Sequence, residues 1–111
     1  MRILHMDDHL GWRDLVQEFL SVHEVISVSN AIEGLQMFEN KRPDLVIVDN
    51  GMPGMSGLQA VVALLEHGYP PSKILMFSAS PYAGSKAMEL GAKFPIKNDA
   101  LQLSTVVAAL R

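Results

Sequence analysis

Cysteine is missing from the chain, which excludes a disulfide framework, a thiolate metal site and a cysteine nucleophile, and accords with a reducing compartment. No apolar run approaches the roughly 20 residues of a membrane span, and Met1-Arg2 leads straight into an apolar stretch without a signal-peptide pattern. A cytoplasmic protein with no membrane attachment is therefore expected. An excess of positive charge is lacking too: 9 Lys and Arg stand against 12 Asp and Glu, scattered along the chain, for a formal charge of -3. That is no footprint for nucleic acid, and this chain is not expected to bind DNA or RNA directly. Repeats, low-complexity tracts and Gly/Ser linkers are also absent, so residues 1–111 read as a single domain. A chain of this size, 49% apolar, buries roughly 65% of its unfolded surface and holds a core without covalent staples.

What the chain does contain is alternation. Short apolar runs occur at Ile3–Met6, Val25–Val28, Leu45–Val48 and Ile74–Phe77, with a weaker one at Phe94–Ile96. Continuous runs rich in Ile, Val and Leu suit strands buried on both faces. Between them the period is helical. Trp12, Leu15, Val16, Phe19 and Leu20 form one stripe, Leu58, Val61, Val62 and Leu65 another, Leu103, Val106, Val107 and Leu110 a third, and Ala31, Leu35 and Phe38 a shorter one. Asn30 with Glu33 has the spacing of a capping box, Asn98 or Asp99 is placed to cap the last helix, and Gly68 and Gly91 fall where helix C-termini favour a left-handed residue.

The order βαβαβαβαβα calls for an α/β fold: a doubly wound parallel sheet of five strands in the flavodoxin-like order 2-1-3-4-5, with right-handed crossovers. In that order strands 1 and 3 flank the switch point, and ligands bind beyond the strands' carboxyl ends. Pro95 falls in the fifth, edge strand, where a missing N–H is tolerated.

Those ends carry the chemistry. Strand 1 runs into Asp7-Asp8 and strand 3 into Asp49. Two unit charges about 5 Å apart repel by roughly 3 kcal/mol at an effective dielectric of about 20, so three carboxylates together require a cation or protons. Oxygen ligands favour Mg²⁺, bound through carboxylates, waters and a substrate phosphate. Strands 4 and 5 bring the hydroxyl of Ser78 and the ammonium of Lys97 to the same edge. A carboxylate nucleophile, a divalent cation, a hydroxyl donor and a lysine make a phosphoryl-transfer set.

With these residues in place, the sequence resembles the receiver domain of two-component response regulators over essentially its whole length. The match lies in Asp7-Asp8, in Asp49-Asn50-Gly51-Met52-Pro53-Gly54-Met55-Ser56-Gly57 against the pattern D-x-x-M-P-x-x-x-G, in Ser78-Ala79, and in Lys97. The resemblance implies that Asp49 is the phosphoacceptor, that Asp8 ligates Mg²⁺ directly and Asp7 through water, and that the Gly51 carbonyl is a further ligand. It implies also that Ser78 and Lys97 hold the phosphoryl group, that Ser78 and Phe94 form the switch, and that Gly51 and Ser80 sit where dephosphorylation is modulated. The implied partner is a sensor histidine kinase or phosphotransfer protein, with a homodimer as a further possibility, and the chain catalyses only its own phosphorylation and dephosphorylation. The sequence departs from the family around helix 4. Fifteen residues separate Ser78 from Phe94, predicting a clipped fourth helix, and Asn98 follows Lys97 where many members have proline. With no room for an output domain, the chain is either a stand-alone receiver or part of a longer regulator.

Simpler readings apply to each residue. Asp7-Asp8 could cap a helix, but capping leaves Asp49 unexplained. His5 reads as a satisfied core histidine, His9 as a loop histidine facing water with an approach to the metal site as the alternative, Trp12 as packing, and the seven methionines as core filler, with Met52 and Met55 partly exposed in their loop. Ser80–Ser85 reads as a mobile loop that rearranges on phosphorylation, or more simply as a surface connection. Among rival functions, a haloacid-dehalogenase-type phosphatase wants an acid where Gly51 stands, and a flavin module would meet repulsion between its phosphate and Asp7-Asp8. A degenerate receiver acting as a constitutive protein-binding module is the third alternative.

Overall fold

The structure, a computed structural model, describes residues 1–95, 97 and 100–110. Its elements run β1 (Arg2–Met6), α1 (Leu10–Phe19), β2 (Glu24–Val28), α2 (Ala31–Lys41), β3 (Leu45–Val48), α3 (Gly57–Glu66), a 3₁₀ turn at Pro71–Lys73, β4 (Ile74–Met76), α4 (Pro81–Glu89) and α5 (Ala100–Ala109). The strands pair in parallel in the order β2-β1-β3-β4, which is the expected order with β1 and β3 at the switch point. The alternation of side chains along each strand builds two cores. Leu4, Met6, Val46, Val48, Ile74 and Met76 pack under α2, α3 and α4. Ile3, Ile47, Leu75 and Phe77 face the other way, onto Val16 within α1 and Leu20 just after it and onto Leu103 and Val107 of α5. Each such aliphatic residue, fully buried, contributes roughly 1.5–3 kcal/mol.

Beyond β4 the expected fifth strand reduces, among the described residues, to a parallel bridge between Leu75 and Lys93. Lys93 donates its N–H to the Ile74 carbonyl (3.0 Å) and accepts from Met76 (2.8 Å), and Lys97 donates to the Ser78 carbonyl (3.3 Å). The register places Pro95 between these two donors, at the position whose N–H the parallel ladder would use next. Proline has none, so the chain follows the sheet edge while the ladder is interrupted. Ile96 and the proposed caps Asn98 and Asp99 lie outside the described residues.

Local signals explain most helix ends. Asn30 accepts from the Glu33 N–H (2.8 Å), but the return contact runs between the two side chains, so the expected capping box is half formed. The complete box is at α3, where Gln59 N–H donates to Ser56 Oγ (3.2 Å) and Ser56 N–H to Gln59 Oε1 (2.8 Å). Gly68 and Gly91 follow α3 and α4 at φ +81° and +94°, as expected of left-handed C-terminal residues. Ser80–Ser85, read as a loop, is instead the start of α4: Ser80 Oγ accepts from the Ala83 N–H (3.2 Å) and Pro81 occupies the first turn. Proline there has its φ preset and loses no helical bond, and this combination nucleates the helix immediately after Ser80. With nine residues, α4 is short, as the spacing predicts.

Candidate functional site

Sheet hydrogen bonding carries the strand ends into the site. Asp7 N–H donates to the Val28 carbonyl (3.0 Å), Asp49 N–H to Met6 (2.9 Å) and Phe77 N–H to Val48 (2.9 Å), so the residues just past β1, β3 and β4 are placed by the ladder itself. Asp7, Asp49 and Ser78 are buried there, and Asp8 is half-buried. After β3 the loop is drawn back under α3: Gly57 N–H donates to the Asn50 carbonyl (3.2 Å) and Leu58 N–H to Asn50 Oδ1 (3.1 Å). Gly57 is required by this closeness, because a Cβ there would stand 2.3 Å from the Asp49 carbonyl oxygen. Met52 is buried in the α2–α4 core rather than exposed in the loop, since the turned-back chain points it inward; Met55 packs on the same core, partly buried.

The acids converge. One ligating atom each from Asp7, Asp8, His9 and Asp49 lies within 4.8 Å of the others. Lys97 reaches across from the sheet edge, its Nζ 2.5 Å from Asp7 Oδ2 and 3.3 Å from Asp49 Oδ1, with the ring of Trp12 5.2 Å away on centroid. Trp12 in turn meets Phe77 edge-on at 5.3 Å, so its packing role is also a wall of the site. Three carboxylates against one ammonium leave the cluster about two charges negative, which a divalent cation would balance. Burial pushes the Asp49 carboxyl above its usual range; Lys97 opposes this and Asp7 reinforces it. Among the described residues Asp8 Oδ1 is buried with no hydrogen bond, though the His9 ring approaches it to 3.0 Å. The oxygen-rich donor set and its net negative charge fit a hard divalent ion held by Asp7, Asp8 and Asp49.

Capping does not account for the acidic pair. The N-cap of α1 is His9, whose side chain makes no cap bond; Asp7 Oδ1 instead accepts the His9 N–H (3.0 Å), and Arg13 donates to the Asp7 carbonyl (2.9 Å). Asp49, Gly51, Ser78, Ser80 and Lys97, with His9 and Trp12, line an open cleft of about 320 Å³. Ser78 Oγ accepts from the Ser80 N–H (3.1 Å). Phe94 is not among the lining residues. It is packed on α4, so close that a Cβ on Gly84 would fall 2.1 Å from its ring.

One histidine differs from expectation and a second combines both of its readings. His5 is wholly buried but not satisfied: among the described residues neither ring nitrogen has a hydrogen bond, and Nε2 is 3.9 Å from Asp7 Oδ2. Burial lowers its pKa from 6.5 to about 4, against the pull of Asp7 and aided by Lys97 and Arg13. His9 is 66% exposed, yet its Nδ1 turns back to 3.0 Å from Asp8 Oδ1 and 3.4 Å from Asp7 Oδ1. Its position next to the acidic pair was the available sequence signal; the ring's direction was not legible.

Comparison with known proteins agrees with this architecture. The family description "response regulator receiver domain" matches residues 3–102. The chain is 37% identical over 82 residues to the nitrate/nitrite response regulator protein NarL of Escherichia coli, covering 70% of this chain but only 38% of NarL. It is 30% identical over 98 residues to the chemotaxis protein CheY of Listeria monocytogenes, covering 84% of this chain and 82% of CheY. Among solved structures, the response regulator TrrA of Thermotoga maritima, in complex with Mg²⁺-BeF, superposes with a TM-score of 0.87 at 30% identity, covering 99% of this chain and 98% of that one. A receiver domain from Clostridium thermocellum gives 0.87 at 25% identity, covering 97% and 91%. With the sheet order, the acidic strand ends and the reaching lysine all in place, the chain belongs to the response regulator receiver domain family.

Proposed function

We propose that the chain is a phosphorylation switch of a two-component system, taking a phosphoryl group onto Asp49. The observation that carries this reading is the buried Asp49 carboxylate held against Lys97 in a cluster with Asp7 and Asp8. Asp7, Asp8, Asp49 and the Gly51 carbonyl would hold Mg²⁺, which when bound neutralises charge on the transferring phosphoryl oxygens. An Asp49 oxygen attacks phosphorus of a phosphohistidine on a sensor kinase or phosphotransfer protein; the P–O bond forms as the P–N bond breaks, and the electron pair leaves on the donor's imidazole. Lys97, already against Asp49, pairs with the new phosphoryl group, and the Ser78 hydroxyl donates to one of its oxygens. Water attack at phosphorus later breaks the bond to Asp49 and releases inorganic phosphate, with Gly51 and Ser80 flanking the approach. Gly51 has no side chain to position or block that water. Self-phosphorylation and self-dephosphorylation are the only reactions proposed, and they take place in the cytoplasm.

The output is conformational. Drawing Ser78 toward the phosphoryl group and shifting Phe94 from its seat on Gly84 would bias two states of the α4 edge. Moving such an equilibrium from mostly off to mostly on takes about 5.5 kcal/mol of differential stabilisation. The kinase, the pathway and any homodimer are set by surfaces beyond the pocket, and the chain spans only 38% of NarL and 25% of the Hahella chejuensis protein-glutamate methylesterase it also resembles. The test is the intact mass after incubation with acetyl phosphate. One added phosphoryl group is expected, dependent on Mg²⁺ and lost in Asp49→Asn. A folded wild-type protein that gains no mass would instead support a degenerate receiver acting by constitutive binding.

A further inference from the structure

His9 stands at the acidic cluster with its ring turned to the two acids rather than to the helix it precedes. It occupies the N-cap position of α1 but its side chain caps nothing. Its backbone N–H is held by Asp7 Oδ1 (3.0 Å), and its ring lies back toward the two acids. Nδ1 then lies 3.0 Å from Asp8 Oδ1 and 3.4 Å from Asp7 Oδ1. An octahedral ion with ligands at about 2.1 Å keeps adjacent ligand atoms about 3.0 Å apart, so the separation of His9 Nδ1 from Asp8 Oδ1 matches neighbouring corners of one coordination sphere. A further observation belongs to the same place: among the described residues Asp8 Oδ1 is buried with no hydrogen bond, and what it meets there is the His9 ring. We propose that His9 Nδ1 is a nitrogen ligand of the divalent-ion site, which gives this pocket a preference for Co²⁺, Ni²⁺ or Zn²⁺ over Mg²⁺ beyond that of its carboxylates alone.

The chemistry follows from ligand softness. Carboxylate oxygens suit Mg²⁺, whereas imidazole suits the later first-row ions, whose affinity for nitrogen rises along the Irving–Williams series. A hard ion can bind the three acids and leave the imidazole aside; a Co²⁺ ion gains from engaging it. The inference rests on the acidic pocket being the metal site, and the test separates the two. Metal-free protein at about pH 8, above the ordinary imidazole range, is titrated with Co²⁺ and with Mg²⁺ by calorimetry, for wild type, His9→Ala and Asp8→Ala. His9 is exposed enough for its removal to leave the fold intact. The expected result is that His9→Ala loses at least about tenfold in Co²⁺ affinity while Mg²⁺ affinity holds within about twofold. The electron spin echo of Cu²⁺-loaded wild type should also show imidazole-nitrogen modulation that His5→Leu retains and His9→Ala loses. Equal loss for both ions, or tighter binding of both in His9→Ala, would overturn the proposal, the latter marking His9 as an occupant that competes with metal. If Asp8→Ala binds both ions as wild type does, the pocket itself is not the metal site and the functional reading fails with it.

Discussion

His5 offers the sharpest test of the electrostatics beneath the pocket. Its ring is fully buried on β1, with neither nitrogen hydrogen-bonded among the described residues, and burial lowers its pKa from 6.5 to about 4. A base with a depressed pKa is held neutral by the fold. Its contribution to stability is therefore complete above 6.5 and is lost as the pH falls from there toward about 4. At about 1.4 kcal/mol per pH unit, the whole loss is on the order of 3 kcal/mol, with about 2 kcal/mol gone by pH 5. Replacing the ring by a hydrocarbon of similar size, His5→Leu, removes this titration and also two buried unpaired polar atoms, which cost about 1–3 kcal/mol each to leave unmade. The variant should be more stable than wild type at neutral pH, and its advantage should widen by about 2 kcal/mol on acidification from about pH 7 to pH 5. Urea unfolding of metal-free protein, followed by the emission of Trp12, the sole tryptophan, measures both. Carboxylates elsewhere titrate equally in the two proteins and cancel in the difference. Parallel stability curves for wild type and His5→Leu would refute the reasoning, since a histidine that charges at no cost in the fold cannot be buried as described.

Two other perturbations follow from the same geometry. Because burial raises the Asp49 pKa, the folded chain favours the protonated acid, and this contribution to stability is present below the ordinary carboxylate range and lost as pH rises through the raised value. Metal-free Asp49→Asn should accordingly melt higher than wild type at neutral pH in a thermal-shift assay, with the gain shrinking as the pH is lowered toward the carboxylate range. At Gly84 an added Cβ would meet the Phe94 ring at 2.1 Å, so Gly84→Ala should cost about 1–3 kcal/mol in chemical denaturation, despite the roughly 1 kcal/mol that helix propensity favours alanine. Combined with Phe94→Ala the cost should fall well short of additive, and simple additivity would show that the ring does not occupy the seat.

The order of elements and the identity of the reacting groups were legible because they depend on short-range pattern. Apolar runs separated by helical stripes leave few ways to bury both faces of a parallel sheet, and once strands 1 and 3 flank the switch point, Asp7, Asp8 and Asp49 can only meet. Two of the differences are nonetheless local, and turn on which side chain reaches back and on where a helix starts. A capping signal at Asn30 was half realised while the full box formed at Ser56, because Gln59 reaches back to the Ser56 N–H whereas Glu33 meets only the Asn30 side chain. The residues Ser80 to Ser85 have the composition of a loop, yet Ser80 and Pro81 start α4 at once.

Residue type and spacing alone determined that this chain would set three carboxylates, a hydroxyl and a lysine at one rim of a parallel sheet. Tertiary structure alone decided that His5 is sealed beneath them without a partner, that the His9 ring folds back toward Asp8, that Pro95 interrupts the edge ladder, and that Phe94 rests on Gly84. The physical reason is that a strand's register fixes where a residue stands. Which way its side chain turns, and whether it finds a partner, is settled only by the atoms that other segments bring against it.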